Sequence, residues 1–280
     1  MSQLFSRLLL ATEHTEFDSG AEAVALAMAK RCALPLATIF PLVSNPEYEA
    51  LAPEIAARGE REAAAKLAQL RAQAETAGVA LSVHVRRGEE PYLEIVQEAS
   101  EMHCDLLVTR RRGKRGFLAN LLVGEMVSKV VAHAPCSVLI VPRGASMWQR
   151  HVLVAAEPNA HGQQVVATAL ALASECGLPV QLISVIADSA HQAQAAEFVA
   201  AMLAAAQQAG VVAAAEVTQG RPHVEILTAA ERCQADLIII ASRSDKSIGR
   251  AMVGGVAQKV IGLAETPVLV LSSTTPVASA

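Results

Sequence analysis

Asp105 to Pro142 reads DLLVTRRRGKRGFLANLLVGEMVSKVVAHAPCSVLIVP, and the order of its parts decides the fold. The run Leu106–Thr109 has the length and composition of a strand buried on both faces. Five cations in six positions follow, Arg110 to Arg115, interrupted only by Gly113. A helical pattern opens after Gly124, and a second apolar run, Val138–Val141, closes the stretch. Strand, glycine-bearing loop, helix and strand together describe a crossover between parallel strands.

The same grammar recurs further along the chain. SRLLLATE (Ser6 to Glu13) returns as RHVLVAAE (Arg150 to Glu157), and CALPLATIFPLV (Cys32 to Val43) returns as CGLPVQLISVIA (Cys176 to Ala187), both at an offset of 144 residues. GEEPYLEI matches GRPHVEI, Asp105 falls opposite Asp236, and Gly124 falls opposite Gly254. Two copies of one unit are therefore expected, joined near RGASMWQR (Arg143 to Arg150). Apolar runs at Leu8–Ala11, Leu36–Phe40, Leu106–Thr109 and Val138–Val141 alternate with helical patterns. One of these, SGAEAVALAMAKRC, opens with Ser19 and Glu22 in capping-box spacing. Another ends at Gly210, placed as a helix-terminating glycine. The fold class is α/β: two tandem, doubly wound, five-stranded parallel-sheet domains. Ligands in such sheets sit beyond the carboxyl ends of the strands, where the strand order reverses.

Composition narrows the function. Apolar residues make up 52% of the 280 and charged residues 18%, which suits a packed globular chain. The net charge of −4 and an aromatic content of 3% oppose nucleic-acid binding, which needs a basic field and stacking rings. The basic loop admits three readings: a solvated loop, a seat for a phosphate-bearing ligand or acidic partner, and sequence-independent nucleic-acid contact. Five widely spaced cysteines without a CxxC predict reduced thiols and a cytoplasmic protein, and no apolar stretch predicts a membrane span.

The stretch Asp105–Pro142 resembles the closing segment of the universal stress protein family, and both copies fit that family's layout over nearly their whole length. The resemblance implies Rossmann-like domains of the adenine nucleotide alpha hydrolase type over 1–145 and 148–280. It also implies a possible adenine-nucleotide ligand, ATP in family members that carry Gly-xx-Gly-x9-Gly-Ser/Thr between the fourth strand and fourth helix. Such glycines let backbone approach phosphate at a helix N-terminus.

Both copies depart from that pattern. Copy 1 has Arg110 at the first glycine, keeps Gly113, spaces Gly124 by ten residues, and places Glu125 where a hydroxyl is expected. A carboxylate there would stabilise the helix start and repel phosphate. Copy 2 has Ala241 and Ser244 at the first two glycines, then Gly254-Gly255. Glu13 and Glu157 follow the first strands, where the family has aspartate. The candidate site in copy 2 is Glu157, Ser242, Ser244, Gly254 and Gly255; the eroded one in copy 1 is Glu13, Gly113 and Gly124.

No GxSxG or HExxH motif suggests an enzyme, and His103, Cys104, His133 and Cys136 read as turn and core residues rather than zinc ligands. The expectation is a non-enzymatic stress-response protein with degenerate crevices, acting through ligand or protein association. The alternative is one live adenine-nucleotide site in copy 2. The fifth strands, Val138–Val141 and Val268–Leu271, would otherwise be exposed apolar edges. They predict an internal pseudo-dimer of the two copies, with homodimers or an unidentified protein partner beyond it.

Overall fold

The structure is a computed structural model that describes residues 4–44, 51, 53–111, 124–242 and 253–272. The first repeat supplies β1 (Leu8–Ala11), α1 (Ser19–Cys32), β2 (Leu36–Val43), α2 (Pro53–Ala77), β3 (Leu81–Gly88), α3 (Pro91–Glu101), β4 (Leu106–Arg110), α4 (Glu125–His133) and β5 (Ser137–Val141). The second supplies β6 (Val152–Ala155), α5 (Ala160–Cys176), β7 (Val180–Ile186), α6 (Gln192–Gln208), β8 (Ala213–Gln219), α7 (Pro222–Arg232), β9 (Leu237–Ala241), α8 (Gly255–Leu263) and β10 (Val268–Leu271).

All ten strands join one sheet in the order β3-β2-β1-β4-β5-β10-β9-β6-β7-β8. Within each repeat the pairing is parallel, and β1 lies between β2 and β4 as β6 lies between β7 and β9. Between repeats it is antiparallel: Val268, Leu269 and Val270 face Ile140, Leu139 and Val138. The expected pairing of fifth strands is thus the seam of the molecule. A local twofold passes through the Leu139–Leu269 pair.

The two-residue period of the strands sorts their side chains between the sheet's faces. Leu8 and Leu10 join Val152, Val154, Leu237 and Ile239 beneath α1 and α5. Leu9 joins Leu107, Ile140, Ile238 and Ile240 on the face covered by α3, α4, α7 and α8. Each face is continuous across the seam, so the repeats share their core. The connecting segment is pinned to it by Trp148, which is buried in the α1–α5 layer.

Arg111, the second cation of the basic loop, also crosses the seam. Its guanidinium donates to the carbonyls of Gly262 (3.3 Å) and Ala264 and lies 3.2 Å from Glu265 Oε1. A cation there meets the negative end of α8. Arg112 to Arg115 lie outside the described residues.

Two local expectations resolve differently. Gly210 has φ +67°, directly after the α6 C-cap Ala209, as its placement predicts. The Ser19–Glu22 capping box does not form. Ser19 Oγ donates to the Glu16 carbonyl, while Glu22 is buried and accepts from Thr12 Oγ1 at 2.6 Å. The carboxylate is drawn back to the strand end, where a buried hydroxyl needs a partner.

The C-caps of α1 and α5 are equivalent, but one is Ala33 at φ +53° and the other Gly177 at φ +68°. An L side chain in the left-handed region costs free energy that glycine avoids. Ala33→Gly is expected to stabilise the chain by about 0.5–1 kcal/mol, read as a rise in denaturant midpoint with unchanged slope.

Candidate functional site

Each repeat reverses strand order beside its first strand, so each has a crevice at the carboxyl ends of β1 and β4, or of β6 and β9. The two crevices are built alike and filled differently.

In the first repeat Arg110 ends β4 and turns its side chain into the crevice, where it is 4% exposed. Nη1 donates to Asp18 Oδ2 at 2.7 Å and to Thr15 Oγ1 at 2.8 Å, and Nη2 lies 2.9 Å from Glu13 Oε2. Asp18 is 1% exposed and also accepts from the Thr15 amide (2.8 Å) and hydroxyl (2.6 Å). Thr15 to Asp18 form a turn, and α1 begins at Ser19. Behind this turn Glu22 holds Thr12 and lies 3.0 Å from His14 Nδ1. The carboxyl end of the first repeat's strands thus holds a buried guanidinium between two carboxylates.

Glu125 opens α4 with its side chain 83% exposed and paired with Lys129 at 3.0 Å. The carboxylate thus faces solvent, and the group inside the crevice is Arg110. Gly124 is the N-cap of α4, and Gly113 lies outside the described residues.

In the second repeat the positions aligned with Arg110 and Asp18 are Ala241 and Gly162, and both line a cavity of about 490 Å³. Asn159 Oδ1 accepts from the Gly162 amide at 2.8 Å, so α5 starts at Ala160, three positions earlier than the aligned start of α1. Gly162 is required: a Cβ there would sit 1.9 Å from the Glu157 carbonyl oxygen. Ile183, Val185, Ile226 and Ile240 give the cavity an apolar wall. Glu157, Gly254 and Gly255 bring a carboxylate and the N-terminus of α8 to its rim. Size and mixed lining suit a small organic ligand with a polar or charged end.

Of the expected second-repeat residues, Glu157, Gly254 and Gly255 therefore meet at one cavity. Ser242 stands one residue beyond the lining Ala241, its amide donating to the Leu271 carbonyl at 2.9 Å. Ser244 lies outside the described residues. Sequence reasoning did not single out the pairs Arg110–Asp18 and Ala241–Gly162. Their signal is a coupled difference, since both partners change together when the repeats are aligned through the offset of each segment.

Cys104 and Cys136 are buried with their sulfurs 3.2 Å apart. The neighbouring Cys136 thiol and burial raise the Cys104 pKa. Among the described residues no group of three or more His, Cys, Asp or Glu side chains could hold a metal ion. Among them too, no helix is long and apolar enough to cross a membrane.

The universal stress protein family model matches residues 5–142 and again 149–272. The chain belongs to the universal stress protein family. A universal stress protein from Archaeoglobus fulgidus DSM 4304 has the same fold, with a TM-score of 0.74 at 21% identity over 96% of this chain and 98% of that one. A universal stress protein described as putative, from Pseudomonas aeruginosa UCBPP-PA14, gives 0.69 at 17% identity over 96% and 93%. A universal stress protein of Methanocaldococcus jannaschii is 38% identical over 66 residues, spanning 24% of this chain and 39% of that protein's length. The family match covers both repeats, which differ in that the second has a cavity of about 490 Å³ and the first a buried Arg110–Asp18–Glu13 network.

Removing Arg110 alone would strand Asp18 as a buried, unpaired carboxylate. Arg110→Ala is expected to cost about 3–5 kcal/mol. Adding Asp18→Gly should recover a large part of that loss, because the stranded charge is gone. Equilibrium unfolding of both single variants and the double variant measures the coupling.

Proposed function

We propose that this stress protein binds one adenine nucleotide, in the crevice of its second domain, and acts as a binding protein rather than an enzyme. The observation that carries the reading is the contrast between crevices: about 490 Å³ of open space beside Gly162 and Ala241, against a buried ion network at the aligned positions. The apolar wall of Ile183, Val185, Ile226 and Ile240 suits the flat face of a base. The Gly254-Gly255 amides at the start of α8 suit a phosphate, because helix N-termini present free N–H groups and a positive dipole end. Adenine is the base that the family resemblance implies.

This reading selects the alternative of a single live site over that of two degenerate crevices. The chain has neither a nucleophile elbow nor a zincin motif, which supports binding without turnover. The shared sheet makes the first domain a structural half, through which occupancy of the second could reach a protein partner.

Isothermal titration of the full chain with ATP and Mg²⁺ tests the reading. Saturable heat is expected, lost in Gly254→Asp. Aspartate is a favoured helix N-cap, so that variant should fold while placing a negative charge at the phosphate position. Absence of both heat and a thermal shift at millimolar nucleotide would refute the proposal.

A further inference from the structure

The mouths of the two crevices differ in sign. In the first domain Glu90 is the N-cap of α3, and Lys129 of α4 lies 3.3 Å from it, 3.0 Å from Glu125, and 4.8 Å from the Tyr92 ring centroid. One cation is thus matched by two carboxylates. The aligned positions in the second domain are Arg221 for Glu90, His223 for Tyr92, Gly255 for Glu125 and Lys259 for Lys129. Both carboxylates are gone, and one has become an arginine.

Two cationic side chains, Arg221 and Lys259, and the imidazole of His223 stand where two helices begin. Arg221 is the N-cap of α7, directly before the cavity-lining Pro222. Lys259 stands one turn into α8 from the cavity-lining Gly255. His223 follows Pro222 in the first turn of α7. Burial, and then the charges of Lys259 and Arg221, lower its pKa from the ordinary histidine value. Among the described residues none of the three forms an ion pair, whereas Lys129 forms two. Glu225, the carboxylate in the first turn of α7, lies back against Gly220. Like charges near one another at a cavity mouth repel, and an anion joining them relieves that repulsion.

We infer that Arg221, His223 and Lys259 form the anion-recognition rim of the second-domain cavity, selecting a ligand that carries a phosphate chain over an uncharged nucleoside. The inference rests on the proposed nucleotide site and adds to it the class of ligand and the residues that choose it. The base would enter the apolar cavity, and the phosphates would extend across the α8 N-terminus toward the rim.

Titration calorimetry of the full chain with ATP, adenosine and inorganic tripolyphosphate tests it, using wild type, Arg221→Glu and Lys259→Glu. Arg221→Glu gives the position the sign of Glu90. Both side chains are exposed, and thermal melting checks that the variants fold. In wild type ATP is expected to bind more tightly than adenosine. Each variant should reduce the ATP-to-adenosine affinity ratio by about tenfold, the size of one lost charge-assisted contact. An unchanged ratio in both variants would overturn the rim while leaving the nucleotide site standing. Tripolyphosphate binding that is lost in the variants, without binding of ATP or adenosine, would keep the rim and overturn the nucleotide site. Silence of all three probes would overturn both.

Discussion

A guanidinium buried between two carboxylates governs how this chain uses its two domains. Arg110, Asp18 and Glu13 are held at 2.7–2.9 Å in the place where a doubly wound domain ordinarily receives its ligand. Such a pair is costly to bury, and it persists only when each charge answers the other. Once it is formed, a ligand entering the crevice would have to break the ion pair and leave its charges unpaired. The second domain lacks both partners at the aligned positions. Gly162 and Ala241 line an open cavity there instead.

The rest of the architecture makes a closed first domain useful. The antiparallel β5–β10 pairing removes two apolar edges at once and merges the helical layers of both repeats into continuous cores. Arg111 extends the seam by meeting the carbonyl end of α8. The first two cations of the basic loop therefore serve structure, one inside the crevice and one across the seam. Among the described residues, cations without an ion-pair partner stand instead at the start of two second-domain helices, at Arg221 and Lys259.

Much of the fold was legible in the sequence, because period and repetition are backbone properties. Apolar runs of four or five residues alternating with helical patterns, stated twice, specify parallel strands and two domains. The exposed fifth strand of each copy specifies the seam. The candidate site was half legible. Glu157, Gly254 and Gly255 follow from the family layout, since a strand end and a helix start fix where backbone lies. Arg110 was read as a lost glycine and Glu125 as the excluding charge. A motif indicates what backbone can do, but not where a long side chain goes. Arg110 turns inward because Asp18 and Glu13 await it, while Glu125 turns outward to Lys129. The Ser19–Glu22 spacing misled for a related reason: a buried hydroxyl on Thr12 outbids a helix end for the carboxylate.

We propose that Arg110, Asp18 and Glu13 close the first crevice, so that the molecule has one receptive crevice and not two. Counting ligands tests it most directly. Native mass spectrometry of the full chain with excess ATP should show a complex that saturates at one nucleotide per chain. Saturation at two, with the second nucleotide displacing Arg110 from Asp18, would contradict the account.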